Sequence, residues 1–212
     1  YPLRRQRQMC IRDRLSPSEY LYSSMIEKAK SVMNEPKQKF APNCVYPKHS
    51  GLCCSSIPEY ISLDENFGYF VGAYCAEGCM TNTQVSIANN SLTYLEKIVS
   101  FCEKYNITYK IYKTEDKNQE GWTSQDIRIY SKIIRDMLFE LCGCLSHNKY
   151  VSSNLVFSNK EFIKGFLDAY ISGDGTISIK DKSVNMCSTS KSLLLDVQQM
   201  LNVIGVYSYV MK

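Results

Sequence analysis

The sequence predicts an α+β protein of two like halves that meet at a pair of helices. Three observations carry that prediction. The stretch EFIKGFLDAYISGDGTISIK, residues 161–180, reads as a helix that runs through Gly-Asp-Gly into a strand. Gly165, Ala169 and Gly173 fall four apart in it, which places them on one stripe of the helix. The same arrangement occurs 97 residues earlier, in ENFGYFVGAYCAEGCMT, where Gly68, Gly72 and Ala76 form the stripe and Glu77 stands where Asp174 stands. After each copy the pattern turns to a period of two, and then a helix follows at an offset of 99.

The stripes have a physical meaning. An interior glycine costs a helix about 1 kcal/mol relative to alanine. That cost is offset where two backbones approach closer than ordinary side chains allow. Facing stripes would put helices over residues 66–77 and 161–173 in direct contact, with Glu77 and Asp174 side by side at one end. The helix dipole disfavours negative charge there, and two adjacent carboxylates repel. A hard divalent cation with oxygen ligands, Mg²⁺ above all, would let both ionise. Gly78 and Gly175 read as left-handed helix stops. One such acid before glycine is an ordinary polar helix end; two in matched register point to a site.

The segments FVGAYCAEG (70–78) and LDAYISGDG (167–175) resemble the two signature motifs of LAGLIDADG, or dodecapeptide, homing endonucleases. The resemblance implies that family's fold, two pseudo-twofold αββαββα halves meeting at the motif helices, with the second half incomplete. It also implies metal-dependent hydrolysis of phosphodiesters in double-stranded DNA at a specific site, with Glu77 and Asp174 as catalytic metal ligands. Residues 57–78, IPEYISLDENFGYFVGAYCAEG, resemble more narrowly the endonuclease domains carried inside inteins, embedded in a host protein. Two alternatives stay open: a LAGLIDADG-fold protein that binds nucleic acid without cutting, and part of a self-splicing intein. A nucleophile-bearing N-terminal splicing block with its Thr-x-x-His, and an Asn-terminated final block, are not found.

Charge adds nothing to the DNA argument by its total. The first 14 residues hold five of the seven arginines and one aspartate, a net of +4 that equals the formal +4 of the whole chain. The other 198 residues therefore balance to zero, and any DNA contact must come from how charge is placed. Residues 1–14 resemble a translated sequencing adaptor and are expected to be a foreign, disordered tail. The ten cysteines include no Cys-x-x-Cys, and several fall at apolar helix positions, as buried free thiols do in a reducing compartment. Cys142, Cys144 and His147 lack a fourth zinc ligand and read as a helix end with buried thiols. No apolar run approaches the about 18 residues of a membrane helix, and no signal peptide is present, so an intracellular location is expected.

In chain order, residues 15–62 form an extension or intein connector, with a helix over 18–33 and then a stretch broken by Pro36, Pro42, Pro47 and Pro58. Residues 63–150 form the first half. In the strand over 81–88, Asn82, Gln84 and Ser86 alternate with Thr83, Val85 and Ile87. Ser91 caps a helix to about residue 105, with Leu95, Ile98 and Cys102 inward and Asn106 just past its end. Strands over 107–113 and 126–130 turn Thr108, Lys110, Tyr112, Asp126, Arg128 and Tyr130 outward, with a polar tip containing Trp122 between them. A helix over 131–145 closes the half.

Residues 151–212 repeat the plan. Thr176, Ser178 and Lys180 alternate with Ile177 and Ile179; a turn at Asp181 and Lys182 leads to Ser183 and Asn185 alternating with Val184 and Met186. A helix over 190–204, with Gly205 where the first half has Asn106, and a strand over 206–212 follow, and about 35 residues of the repeat are then expected to be missing. The resemblance makes the polar strand faces DNA saddles, with Asn82, Gln84, Ser86, Lys110, Arg128, Thr176, Ser178, Lys180 and Asn185 as contacts. It also matches Lys149, in HNKYVS (147–152), to a lysine that polarises water or offsets phosphate charge; Ser152 departs from that block's proline. One chain carrying both motifs is expected to work as a monomer.

Overall fold

The computed structural model describes residues 13–17, 44–45, 57–115 and 123–211. Most of the expected tail, the helix over 18–33 and the tip with Trp122 lie outside the described residues. Four short strands precede the first half: β1 (Arg14–Leu15), β2 (Cys44–Val45), β3 (Ile57–Pro58) and β4 (Ile61–Ser62). β1 pairs with β4 and β2 with β3, all antiparallel. Leu15 is buried, and the Leu63 amide donates to the Asp13 carbonyl at 2.9 Å. The boundary expected after residue 14 thus falls inside a hydrogen-bonded pair, and Asp13 and Arg14 belong to the fold.

The first half runs α1 (Glu65–Glu77), β5 (Gly78–Met80), β6 (Val85–Ala88), α2 (Leu92–Lys104), β7 (Tyr109–Glu115), β8 (Thr123–Ile129) and α3 (Lys132–Cys142). This is αββαββα. Its strands form one antiparallel sheet in the order β5-β6-β8-β7. A 3₁₀ turn (Ser146–Asn148) and the short α4 (Ser153–Val156) link it to the second half. That half runs α5 (Lys160–Asp174), β9 (Gly175–Ser178), β10 (Ser183–Met186) and α6 (Lys191–Val203), or αββα, with β9 and β10 as a two-stranded sheet. α1 and α5 lie against each other along their lengths and form the seam between the halves.

Local chemistry starts and stops these helices. Side chains of Asp64, Ser91, Ser131, Asn159 and Ser190 each accept a hydrogen bond from the backbone N–H three residues on. Asn106 and Gly205 take positive φ just past α2 and α6, as their matched positions suggest. The core is aromatic along α1: Phe70 stacks on Phe101 of α2 at 4.2 Å between ring centres, and Phe67 meets Phe162 of α5 at 5.7 Å.

Four expectations need correction. Gly78 (φ −83°, ψ 144°) and Gly175 (φ −99°, ψ 158°) are extended rather than left-handed, so each helix passes straight into a strand. Glycine is needed there for space, because a Cβ at Gly78 would meet the Tyr74 carbonyl oxygen at 2.5 Å. The strand expected over 81–88 is confined to β6 (Val85–Ala88); Asn82 and Gln84 sit in the turn that joins it to β5, where the Thr81 amide donates to the Gln84 carbonyl. β9 ends at Ser178, which leaves Lys180 in the turn with Lys182 at φ 49°. Residues 206–211 form no strand: β7 pairs with β8, and the matching segment has no such neighbour among the described residues. The apolar pair of the β9–β10 hairpin, Ile177 and Val184, is 66% and 48% exposed.

A candidate acidic site at the helix seam

The seam is closed by absent side chains. A Cβ on Gly68 would run into the carbonyl of Phe162, one on Gly72 into that of Phe166, and one on Gly165 into that of Glu65. Each of these three glycines thus sits under a backbone carbonyl of the other helix, and no larger residue fits there without separating the helices. Ala169 is buried in the same seam, and its carbonyl accepts a hydrogen bond from Tyr94 Oη at 3.2 Å. At the far end Gly173 faces Ala76 and Glu77: its missing Cβ would lie 2.7 Å from Ala76 Cβ and 3.2 Å from Glu77 Cγ.

That contact brings Glu77 and Asp174 together, each the last residue of its helix and each half-buried. Both carboxyls are held above their ordinary pKa. For Glu77 burial is the larger cause and the charge of Asp174 the next; for Asp174 burial is the cause. In both, the charge of Lys149 works the other way.

Lys149 is only 5% exposed. Its ammonium donates to the carbonyls of Tyr74 (2.8 Å), Cys75 (3.0 Å) and Gly78 (2.7 Å), where α1 passes into β5; the Tyr74 carbonyl also accepts the Gly78 N–H. Its own carbonyl accepts from Ser190 Oγ at 2.5 Å, and two residues on the Val151 amide donates to Asp196 at 2.8 Å. One residue therefore ties the end of α1 to the start of α6. Burial lowers the Lys149 pKa, with Cys75, Cys142 and Asp174 among the groups that oppose the shift. The sequence placed this lysine near the acids. It did not reveal that all three ammonium protons are engaged with backbone, so that its charge reaches the acids without a direct bond.

The donor set fits a hard divalent cation. Two carboxylate side chains converge at the seam and are disfavoured as anions by burial and, for Glu77, by each other's charge. No group of three or more His, Cys, Asp or Glu stands together among the described residues. The remaining ligands would be water and phosphate oxygens, an arrangement that Mg²⁺ favours. His147 is exposed while Cys142 is buried at the end of α3, so these residues are not gathered for zinc.

The expected contact residues divide by position. Ser86, Lys110 and Arg128 share the outer face of the four-stranded sheet, because Ser86 and Lys110 both pair with Arg128 in register. Asn82 and Gln84 lie in the turn at its edge. Thr176 pairs with Asn185 and Ser178 with Ser183, while Lys180 rides on the hairpin tip. Two more outward residues join them: Asp126, which accepts from Ser86 Oγ and Arg128 Nε, and Tyr112, which lies under Arg128. Alternation put both on this face, but only the register brings them together.

Comparison with known proteins places this geometry in a family. Residues 64–143 and 161–212 match the LAGLIDADG-like domain, and the chain belongs to that family. It is 36% identical over 166 residues to the DNA-directed RNA polymerase subunit Rpo1C of Methanocaldococcus jannaschii, covering 78% of this chain and 18% of that protein. It is 26% identical over 175 residues to an iron-sulfur cluster assembly SufBD family protein of Mycobacterium bovis, covering 78% and 20%. The chain thus spans at most a fifth of the length of these relatives. Among solved structures it resembles the crystal structure of I-DmoI in complex with DNA and Mn, with TM-score 0.51, 15% identity and coverage of 71% of this chain and 83% of that one. The fold is the LAGLIDADG homing-endonuclease fold. No helix among the described residues is long and apolar enough to cross a membrane.

Proposed function

We propose that the chain is a site-specific double-strand DNA endonuclease of the intein-borne kind, hydrolysing phosphodiesters with a divalent cation held by Glu77 and Asp174. The observation that carries this reading is the convergence of the two motif acids at a glycine-packed seam. Bound there, the cation would supply Lewis acidity to a phosphoryl oxygen and lower the pKa of the attacking water. The chain's own residues do the rest. Close helix packing sets the spacing of the carboxylates, and Lys149 holds the end of α1 while its positive charge favours the ionised acids. The outer sheet faces of the two halves each grip one half of the target, so a single chain suffices.

The relatives support the intein setting. A segment shared by an RNA polymerase subunit and an iron-sulfur assembly protein, and filling about a fifth of each, does not perform what those proteins do. It behaves as a passenger in unrelated hosts. A reducing compartment inside the cell suits its free thiols, of which Cys75, Cys102 and Cys142 are buried.

The full chain mixed with supercoiled plasmid, carrying the host sequence joined without its insert, tests the reading. Mg²⁺-dependent linearisation is expected. A gel shift with no cutting at any Mg²⁺ concentration would show a binder instead.

A further inference from the structure

We propose that Arg128 reads a guanine in the major groove and sets specificity at one base pair of the target; this rests on the DNA-cleaving reading above. Arg128 lies at the centre of the outer face of the four-stranded sheet, flanked in register by Ser86 on β6 and Lys110 on β7. Its neighbours along β8, Ile127 and Ile129, are fully buried on the other face, so the strand cannot turn it away.

The side chain is held before any ligand arrives. Arg128 Nε donates to Asp126 Oδ2 at 2.7 Å, and the same oxygen accepts from Ser86 Oγ at 3.0 Å. The guanidinium carbon sits 4.2 Å from the centre of the Tyr112 ring, whose hydroxyl is 3.0 Å from that of Tyr130. Neither Nη atom hydrogen-bonds to a described residue, and the side chain remains 39% exposed. The anchored Nε leaves the outer edge of the guanidinium as a planar pair of donors. That pair matches guanine O6 and N7. Because packing already fixes the rotamer, little side-chain entropy is lost on binding.

A phosphate would also accept two donors from arginine, but the surroundings disfavour it. The Asp126 carboxylate shares the guanidinium's charge and would repel an anion, whereas a guanine edge is neutral. Lys110 differs: its exposed ammonium, 5.0 Å from the same ring centre, has no carboxylate partner among the described residues and suits the backbone. The two residues on one row therefore divide the work, Arg128 on a base and Lys110 on a phosphate.

Selection from a duplex library randomised over about 20 base pairs, without Mg²⁺, tests this with the full chain and its Arg128→Ala, Arg128→Lys and Lys110→Ala variants. The wild type should enrich a motif with guanine at one position. Both Arg128 variants should lose that preference alone and bind the guanine site about 5- to 150-fold more weakly. Lys110→Ala should weaken all sequences alike and reduce the salt slope by about 1. An unchanged motif in both Arg128 variants would overturn the proposal and leave the nuclease reading standing. So would a loss spread evenly over all sequences, the mark of a phosphate contact. No enrichment by the wild type would overturn both.

Discussion

Glu77 and Asp174 are destabilising residues by their own electrostatics. A carboxyl whose folded pKa is raised contributes stability below its unfolded value, about 4.3 for Glu and 3.9 for Asp, and loses it as pH rises through the folded value. Burial opposes the charge of each, the charge of Asp174 adds to this for Glu77, and Lys149 offsets part of the effect in both. Glu77→Gln and Asp174→Asn should therefore each raise stability at pH 7 without metal. The gain should be about 0.5–1 kcal/mol once the water that still reaches both groups is allowed for. Thermal melts from pH 3 to pH 8 check the sign: the advantage should vanish near pH 3. A variant less stable than wild type at pH 7 would contradict it. A saturating divalent cation should raise Tm in the wild type and lose most of that effect in either variant. Lys149 shows why the residue scale was only partly legible. A lysine in a polar linker reads as solvated; its burial depends on carbonyls 71 to 75 residues away.

At the scale of the element, α1 and α5 make a seam that tolerates no added atom. Gly72→Ala should gain up to about 1 kcal/mol of helix propensity. It should lose more, a net of about 1–3 kcal/mol, because the new Cβ runs into the Phe166 carbonyl. A denaturation midpoint shifted upward would show that the helices do not meet there. The seam was legible because spacing within one helix is local information. So were the ends of α2 and α6, where Asn106 and Gly205 take the left-handed turn that their matched positions suggested; Gly78 and Gly175 did not follow that rule. Strand limits were less legible. Alternation ran unbroken from Thr81 to Ala88, yet β5 and β6 need a turn where Asn82 and Gln84 stand. Alternation also suggested burial for Ile177 and Val184, which are 66% and 48% exposed because burial depends on a partner layer that the pattern does not encode.

For the whole molecule, the duplication organises everything else. Two copies of a helix that ends in an acid, packed back to back, place one carboxylate from each half at a common point and one polar sheet face on each side. Both halves contribute to that point, so the loss of either acid should disable it while leaving the sheet faces intact. The most direct test is cleavage of a selected duplex, end-labelled on each strand in turn, by the full chain and its Glu77→Gln and Asp174→Asn variants in Mg²⁺. The wild type should cut both strands, and each variant should bind with unchanged Kd and cut neither. A variant that cuts both strands at the wild-type rate would contradict this expectation.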